Sequence, residues 1–459
     1  MKYHIITLGC PKNTVDSENM MALLNRSGLE YTPEPGEAEA IIVNTCTFIH
    51  DARVEAIDTI FEIHELARNT GARIIVTGCL AQRYKDEIAN SFSEVDSWMG
   101  LEKLENIVSV VKKSIEGEKI RKYYNPCPGT FENLPRFFTT PPHFGYLKIA
   151  EGCSHSCNFC IIPQIRGKFR SLPMEDIILQ AEELIKTERR ELVLIAQDTT
   201  LYGVDLYGKQ KLPELLKRLA NLEGVEWVRL MYAYPDSLNK EILQTIADEP
   251  RICNYLDIPL QHSHPAVLKK MGRSNRGRET VEAIKEIIPE AEIRTAFIVG
   301  HPGETEKRFH HLVNFVEEYR FYNLGVFTYS PEENTVSAGF KARASGVQAE
   351  RRRDILMSLQ QDIAFELRRE KEGKILTAVC SNRLNFIENP GLAETLENAG
   401  IFSPDQLPDE VTAIGRTVYD APDIDGLLFI KGTPPAENEF FKARIEEGLP
   451  YDLIGSPFS

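Results

Sequence analysis

Length, composition and charge place this chain among ordinary multidomain globular proteins. Its 459 residues exceed what one compact core usually holds, so two to four domains are expected. Hydrophobic residues at 42% and charged residues at 26% argue against long disorder, a collagen-like repeat or a membrane class. The net charge of −15 disfavours a non-specific phosphate binder and is compatible with a basic protein partner. The first residues show no export signal, which predicts a cytoplasmic protein.

The first hundred residues alternate short β-branched runs with helical patterns. The runs are YHIITL at 3–8, AIIVNT at 40–45 and ARIIVTG at 72–78. Continuous apolar runs of this length between helices are typical of buried parallel strands. We therefore predict an α/β domain with a parallel sheet over residues 1–115, followed by a charged, proline-rich linker over 116–138.

Six further strand-and-helix units follow, beginning near Gly145. Consecutive units with right-handed crossovers predict a full or partial (β/α) barrel, whose active face lies at the carboxyl ends of its strands. The barrel and a charged trailing helix are predicted to occupy residues 139–372. Beyond them, short strands separated by Gly, Pro and Asp turns predict a small all-β module over 373–459.

Three cysteines stand within eight residues just after the first predicted barrel strand: Cys153, Cys157 and Cys160. Three thiolates on one loop can hold a cubane iron–sulfur cluster and leave one iron without a protein ligand, whereas electron-transfer clusters are closed by four cysteines. The open iron suggests that a small molecule completes the coordination. S-adenosylmethionine can do so and can be cleaved to a carbon radical. A structural zinc site is the alternative, although zinc normally takes four ligands.

A second set consists of Cys10, Cys46 and Cys79, and each follows directly on one of the three N-terminal strands. Because the ends of parallel strands lie side by side, loops at that edge can converge on one ligand, and we predict a second cluster there. A buried apolar role is the alternative for any one of these cysteines. The remaining cysteines are predicted not to be ligands: Cys127, Cys253 and Cys380.

Several longer motifs accompany the cysteines. They are TLGCPKNTVDSE, IPQIRGKFRS, AQDTTLYG, LDIPLQH, FIVGHPGET, LGVFTYSPEE and GRTVYDAPDIDG. With them the chain resembles, over essentially its whole length, the methylthiotransferase family of radical S-adenosylmethionine enzymes. Within that family it is most similar to the RimO-type branch, which modifies a ribosomal protein. One departure is His301, which stands where the family commonly has an aromatic residue before Pro-Gly.

The resemblance implies two 4Fe-4S clusters and S-adenosylmethionine as cofactors. By motif position, the N-terminal cysteines hold an auxiliary cluster, and the barrel cysteines hold the cluster that generates the radical. The implied reaction adds a sulfur and a methyl group to the β-carbon of an aspartate in the twelfth protein of the small ribosomal subunit, with a second S-adenosylmethionine supplying the methyl group. The sulfur donor and the electron donor are not specified by the sequence.

Candidate cofactor contacts are polar or aromatic residues of the barrel strands and the cysteine loop. Barrel-interior hydrogen bonding is the alternative role for the polar ones, and Phe159 could equally be core filler. The candidates are Phe159, Gln197, Gln261, Arg294 and Glu304.

The C-terminal module resembles the small TRAM β-barrel of the family, with a longer first connection around 389–410. From Ile375 to Ser459 it carries five Lys and Arg against 14 Asp and Glu, a balance of −9. An acidic module is a poor RNA clamp and complements a basic protein instead. Asp420, Asp423 and Asp425 lie in a turn-rich segment, where we expect them to be exposed and to contact the substrate, unless they only fix turns.

The sequence leaves two other functions open. One is the transfer-RNA branch of the same family, which performs the same chemistry on an adenosine. The other is a non-catalytic iron–sulfur carrier, which would not need a six-unit barrel around an open cluster and would not cleave S-adenosylmethionine. The acidic C-terminal module favours the ribosomal-protein substrate and argues against stable RNA binding.

Overall fold

The computed structural model describes residues 1–47, 49–101, 103–124, 133–341, 344–384, 392, 396–397, 407 and 410–458. Cys127 and most of the 389–410 connection lie outside these residues. The described elements form two six-stranded sheets, one closed five-stranded barrel and one two-stranded ribbon. None of the helices in the described ranges combines the length and the apolar character that a membrane crossing requires.

The N-terminal sheet is parallel throughout and has the strand order β2-β1-β3-β4-β5-β6. Its strands are β1 Lys2–Thr7, β2 Glu30–Tyr31, β3 Ala40–Thr45, β4 Arg73–Gly78, β5 Ser97–Met99 and β6 Arg121–Lys122. Its helices are α1 Pro11–Arg26, α2 His50–Thr70, α3 Cys79–Tyr84, α4 Asp86–Ser91 and α5 Ile107–Ile115, with 3₁₀ turns at Pro35–Glu37 and Leu104–Asn106. All six residues of β3 are buried, as expected for a central strand covered on both faces.

The second sheet forms an open barrel of six parallel strands in the order β14-β13-β12-β11-β10-β7. The strands of this part of the chain are β7 Phe144–Lys148, β8 Ala150–Glu151, β9 Arg170–Ser171, β10 Glu191–Ile195, β11 Trp227–Leu230, β12 Ile252–Gln261, β13 Glu292–Val299 and β14 Asn323–Thr328, of which β8 and β9 form the separate ribbon. The predicted partial β/α barrel is thus confirmed.

Helices cover the outside of this barrel, and a continuous apolar core lies between them and the strands. They are α6 Ile162–Arg166, α7 Met174–Lys186, α8 Val204–Tyr207, α9 Leu212–Ala220, α10 Lys240–Asp248, α11 Pro265–Lys270, α12 Gly277–Ile287, α13 Glu306–Tyr319 and α14 Gly346–Arg369, with 3₁₀ turns at Pro235–Ser237 and Ser337–Gly339. The trailing helix α14 begins with a capping box, in which Ser345 and Gln348 each accept a backbone N–H of the other residue.

The C-terminal module is a small closed barrel with the strand order β15-β16-β17-β19-β18. Its strands are β15 Ile375–Arg383, β16 Val411–Thr417, β17 Leu428–Lys431, β18 Phe440–Gly448 and β19 Leu453–Pro457. Cys380 is fully buried among the apolar side chains of this module. The predicted all-β module is therefore confirmed, and full closure leaves it without an unpaired sheet edge.

The acidic turn of this module packs against the barrel interior. The side chain of Asp425 is 1% exposed, and its carboxylate accepts hydrogen bonds from Tyr255 Oη and Arg294 Nη1, both at 2.7 Å. Asp420 is also buried and accepts from the hydroxyl and the N–H of Thr417. The expectation that these two carboxylates are exposed is wrong: barrel residues bind Asp425, and Asp420 fixes its own turn through Thr417 in a buried position. Substrate contact by these residues stays a prediction.

Asp423 differs from its neighbours because the residue is exposed, although its carboxylate accepts a hydrogen bond of 2.8 Å from Tyr146 Oη. Arg294 occupies the third position of β13, close to the amino end of that strand, and its Nη1 donates to Asp425. Its guanidinium fastens the C-terminal module to the barrel. Cofactor contact by Arg294 stays a prediction.

A second buried ionic group reinforces the same junction. Glu191 of β10 pairs with Arg229 of β11 at 2.6 Å and with Arg416 of β16, and all three side chains are at most 5% exposed. Arg229 also donates to the carbonyl of Val418 at 2.9 Å. Since a buried charge that loses its partner is costly, these bonds fix the module in one orientation beneath the barrel.

Replacing Asp425 with Ala should weaken this junction. The change leaves the Arg294 guanidinium and the Tyr255 hydroxyl without their acceptor, and we expect a loss of about 3 kcal/mol in the free energy of unfolding, as for other broken buried pairs. Urea denaturation monitored by tryptophan fluorescence measures the change. The control is Glu447→Ala, which removes an exposed carboxylate of the same module and should cost under about 0.5 kcal/mol. Equal stabilities for the two variants would contradict the assigned junction.

Asp420 gives a second prediction, because burial raises the pKa of its carboxyl to about 6. The folded protein then holds a proton that the unfolded chain releases near pH 4, so this group lowers stability as pH rises from about 4 to 6. Asp420→Asn should remove that decline, a relative gain of at most about 3 kcal/mol above pH 6. Unfolding free energies measured across this window should show parallel profiles for wild type and Glu447→Gln. An Asp420→Asn profile that is also parallel to the wild-type profile would contradict a raised pKa at Asp420.

Candidate metal centres at the domain interface

The N-terminal cysteines lie at one edge of the first sheet because three neighbouring strands end in register. Thr7 of β1 pairs with Asn44 of β3, and Thr45 of β3 pairs with Gly78 of β4. Each strand then turns directly into its cysteine: Cys10 caps α1, Cys46 follows β3, and Cys79 opens α3. The order of the strands, β1-β3-β4, therefore places Cys46 between the other two.

Close backbone packing brings these turns together. Gly9 has φ +93°, and a Cβ added there would lie 2.5 Å from Cys46 Cβ and 2.9 Å from its sulfur. Gly78 has φ +95°, and a Cβ there would overlap the backbone of Thr45 at 2.5 Å. Both positions require glycine because of the positive φ and because of the missing space. The sequence pairs Gly9-Cys10 and Gly78-Cys79 are thus the local reason for the convergence.

Burial makes this set suited to metal binding. Cys46 and Cys79 are less than a tenth exposed, and burial raises the pKa of the Cys79 thiol to about 12. A buried thiolate is costly without a compensating positive charge, which a metal centre supplies when it binds. The donor set, three cysteine sulfurs at one sheet edge, fits an iron–sulfur cluster.

The barrel cysteines occupy the loop between the ribbon strand β8 and helix α6. The loop is held by backbone hydrogen bonds from Cys153 N to Gly167 O at 3.0 Å and from Cys160 N to Cys157 O at 3.1 Å. Gly152 has φ +81°, and a Cβ there would lie 2.2 Å from the carbonyl of Lys168, so the loop needs glycine at its start. Burial raises the pKa of Cys160 to about 12 and that of Cys153 to about 11, which again fits metal-bound thiolates.

Aromatic and charged side chains line one side of this loop. The His155 ring stacks on Tyr234 with centroids 3.6 Å apart, and His155 Nε2 lies 2.6 Å from the buried carboxylate of Asp198. Arg273 covers the ring of Tyr234 at 4.1 Å and donates to Cys157 Sγ at 3.8 Å. These contacts fix the middle of the loop against strands β10 and β11.

Within the described part of the chain, no three His, Cys, Asp or Glu side chains close around a single metal ion. A cubane cluster carries its cysteine ligands on separate iron atoms, so its thiolates stand further apart than the ligands of one ion. The absence of a single-ion site among the described residues is therefore compatible with cluster binding by both cysteine sets.

Helix α1 of the N-terminal domain docks on the barrel through buried charges. Asp16 pairs with Lys148 of β7 and, at 3.1 Å, with Arg166 of α6. Glu151 of β8 accepts from the same two cations, each at 3.0 Å. All four side chains are at most 9% exposed. Two carboxylates therefore balance two cations in a dry interface between the domains.

The same interface brings the two cysteine sets together. Cys79 packs against Ile161, the residue directly after Cys160, and against Ile165. Arg166 Nη2 donates to Asn13 Oδ1 at 2.6 Å and to Cys79 Sγ at 3.6 Å. The loop that carries the barrel cysteines thus contacts a cysteine of the N-terminal set directly.

A third buried contact closes the other side of the interface. Glu332, just after β14, accepts hydrogen bonds from Arg53 of α2 at 2.5 Å and Arg83 of α3 at 2.7 Å. Near Cys10, the Lys12 ammonium lies 3.1 Å from the centre of the Tyr232 ring, and burial lowers the pKa of Lys12. The N-terminal domain is therefore attached to the open barrel near both of its edge strands, β7 and β14.

The other predicted cofactor contacts lie at the carboxyl ends of the barrel strands or in the cysteine loop. Gln197 Nε2 donates to Glu151 Oε1 at 2.8 Å, while Gln261 ends β12 with φ +70°. Phe159 meets the buried ring of His301 edge-on, with centroids 6.5 Å apart. Glu304 accepts from Gly300 N and from Arg352 at 2.8 Å, so it also fixes its own loop to α14. Cofactor contact by these four residues stays a prediction.

Sequence reasoning missed most of the residues that join the domains. Asp16 and Asn13 belong to the motif TLGCPKNTVDSE, and Arg166 belongs to IPQIRGKFRS, yet neither motif suggested that these side chains meet. One signal was present: residues 12 to 19 read KNTVDSEN, a largely polar run at the start of a helix, and nearly all of it is buried. A polar run at the start of a helix, directly after a candidate ligand cysteine, could have indicated that this face of the helix is covered by another domain.

Comparisons with protein-family models match three separate parts of the chain. Residues 2–100 match the uncharacterized protein family UPF0004, residues 147–316 the radical SAM superfamily, and residues 405–457 the TRAM domain. These three ranges fall on the N-terminal sheet, the open barrel and the closed barrel respectively.

Among solved structures, the radical S-adenosylmethionine methyltransferase TsrM from Kitasatospora setae, with tryptophan and a SAM analogue bound, is similar in fold. It has a TM-score of 0.53 and 14% identity, covering 71% of this chain and 72% of that one.

Full-length relatives are much closer in sequence. Three of them carry the name ribosomal protein uS12 methylthiotransferase RimO. The protein of Thermoanaerobacter sp. is 41% identical and covers 98% of both chains. That of Lachnoclostridium phytofermentans is 42% identical over 99% of this chain and 100% of its own. That of Geobacter sulfurreducens is 39% identical over 100% and 99%. The chain therefore belongs to the RimO family of radical SAM methylthiotransferases.

Proposed function

We propose that this protein methylthiolates ribosomal protein uS12 at the β-carbon of an aspartate, with two 4Fe-4S clusters and S-adenosylmethionine. One observation carries the proposal: two separate three-cysteine sets meet at the domain interface, where Cys79 packs directly against the residue that follows Cys160. A carrier of iron–sulfur clusters has no use for two cysteine sets whose domains share such an interface. The family membership supports the same reaction.

The barrel cysteines would hold the radical-forming cluster, and the N-terminal cysteines would hold the auxiliary one. When bound, the first cluster with S-adenosylmethionine supplies a carbon radical that can remove hydrogen from an unactivated carbon. The chain's own residues position and shield that chemistry: the barrel wall excludes water, and the His155–Tyr234–Arg273 stack holds the loop of Cys157.

Gln197 and Glu304 follow the carboxyl ends of the barrel strands β10 and β13. Gln197 Oε1 is buried without a hydrogen-bond partner among the described residues, so it can accept a hydrogen bond from a bound amino or hydroxyl group. We propose Gln197, Gln261 and Phe159 as cofactor contacts and Glu304 as a residue that shapes the neighbouring loop.

On the substrate side, the relatives' name points to uS12, and the charge of the C-terminal module points the same way. Four of its exposed carboxylates lie on β18 and the turn before it, and the module as a whole has a balance of −9. This favours a basic protein over RNA as the partner. The exposed acids of this group are Glu437, Glu439, Glu446 and Glu447, and Glu397, Glu410 and Asp423 are exposed elsewhere in the module. We propose three functional domains, 1–115, 139–372 and 373–459, with a linker at 116–138 between the first two. We also propose that the protein acts in the cytoplasm, where it binds its ribosomal substrate.

Removing each cysteine set should separate the two roles. Changing Cys153, Cys157 and Cys160 to Ala should reduce anaerobically reconstituted iron from about eight to about four per chain and abolish cleavage of S-adenosylmethionine. Changing the N-terminal three should also leave about four irons, but reductive release of 5′-deoxyadenosine should continue while methylthiolation stops. Iron analysis and chromatography of the products measure both effects.

The matched control for these variants is Cys253→Ala with Cys380→Ala, two cysteines buried away from both sets. It should keep all the iron and full cleavage activity. Full iron content in either triple variant, or normal methylthiolation without Cys10, Cys46 and Cys79, would contradict the two-cluster assignment.

The substrate is tested by mass spectrometry of ribosomal protein and transfer RNA from cells that lack this protein. We expect uS12 to lose its methylthio group and the transfer RNA to be unchanged. In binding measurements with isolated uS12, a quadruple Glu→Gln variant at 437, 439, 446 and 447 should associate more slowly, with a difference that shrinks at high salt. Loss of a methylthio group from the transfer RNA, with uS12 still methylthiolated, would contradict the proposal.

A further inference from the structure

Arg166 is the residue through which the barrel's cysteine loop reaches the opposite cysteine set. It ends helix α6, six residues after Cys160, and its side chain is 3% exposed. Nη2 donates to Cys79 Sγ at 3.6 Å and to Asn13 Oδ1 at 2.6 Å. The guanidinium thus contacts a sulfur of the auxiliary set although it belongs to the domain that holds the other set.

The position of this guanidinium is determined by its remaining bonds. Nη1 donates to Asp16 Oδ2 at 3.1 Å and to Glu151 Oε2 at 3.0 Å. Asp16 lies on α1 and Glu151 on β8, so the planar fork is held from both domains at once. With Nη1 fixed in this way, Nη2 has little freedom to turn away from Cys79 Sγ.

A hydrogen bond from a cation to a cluster thiolate acts on the cluster's redox chemistry. Reduction adds a negative charge to an iron–sulfur cluster, and donors to its sulfurs stabilise that charge, so they raise the reduction potential. The effect is large in a dry site, because little water screens the guanidinium there. Cys79 and Arg166 are both buried, which meets that condition.

We propose that Arg166 is a positioning residue of the auxiliary centre, which raises the reduction potential of that cluster by donating a hydrogen bond to Cys79 Sγ. Because Arg166 lies on the helix that directly follows the barrel's cysteine loop, the potential then depends on the position of that loop against the N-terminal domain. The inference rests on the proposed function, in which Cys10, Cys46 and Cys79 hold a 4Fe-4S cluster. It assigns to the domain interface a chemical role beyond holding the two domains together.

The chain offers a matched control in Arg136. Its side chain is also 3% exposed and also attaches α1 to the barrel domain, through Glu18 at 3.0 Å and the carbonyl of Tyr146 at 2.5 Å. Its bonds go to a carboxylate and a carbonyl, not to a cysteine. Loss of Arg136 should therefore weaken the same interface without removing a donor to the cluster.

The experiment uses the full chain with Cys153, Cys157 and Cys160 changed to Ala, so that only the auxiliary cluster is reconstituted. In this background, iron content, thermal stability and the midpoint potential from an EPR-monitored redox titration are compared for unchanged Arg166, Arg166→Gln, Arg166→Lys and Arg136→Gln. We expect Arg166→Gln to lower the midpoint potential and Arg166→Lys to lower it less, because the ammonium keeps the charge but loses the planar fork. Arg136→Gln should lower stability and leave the midpoint potential unchanged.

An unchanged potential in Arg166→Gln, or an equal shift in Arg136→Gln, would overturn the inference while leaving the cluster assignment intact. If Arg166→Gln does not retain iron, Arg166→Lys decides: a lowered potential supports the proposal and an unchanged one overturns it. Absence of iron from the background protein itself would overturn the assignment of Cys10, Cys46 and Cys79 as ligands, and the inference with it.

Discussion

Two carboxylates and two cations share a dry site between the first helix and the barrel, and the geometry of the functional centre depends on it. Asp16, Glu151, Lys148 and Arg166 are each buried, and each has a partner of opposite charge from the other domain or from a neighbouring strand. Removing any one of them would leave an unpaired charge in a dry interface, which is strongly unfavourable. The interface therefore has one arrangement, and that arrangement sets Cys79 against the loop of the barrel cysteines.

The C-terminal module is attached by the same kind of interaction at the opposite end of the barrel. Arg294, Glu191 and Arg229 come from the barrel strands, and Asp425 and Arg416 come from the module. Chemistry at the carboxyl ends of the strands is thus separated from the module by the length of the barrel. Asp420 and Asp425 bond within the protein, so the acidic residues available to a basic protein are the exposed ones, which include four on β18 and its preceding turn.

The sequence predicted the three folds and the edge of the first sheet where the cysteines gather, because those features follow from local patterns. Strand ends that read TLGC, VNTC and VTGC are visible in the sequence, and parallel strands bring them together. The interface was not predictable in this way. Arg166 and Asp16 are 150 positions apart, and Asp425 meets partners 131 and 170 positions away, so no local spacing reports these pairs. Asp425 looked like an exposed turn residue because the sequence does not show which surface covers a turn.

We propose that two iron–sulfur clusters lie next to each other across this interface. EPR spectroscopy of the fully reconstituted and reduced protein tests it most directly, because neighbouring paramagnetic clusters broaden each other's signals. We expect a spectrum that shows magnetic interaction and that simplifies to that of an isolated cluster when either cysteine set is changed to Ala. A spectrum equal to the sum of those two isolated spectra would contradict it.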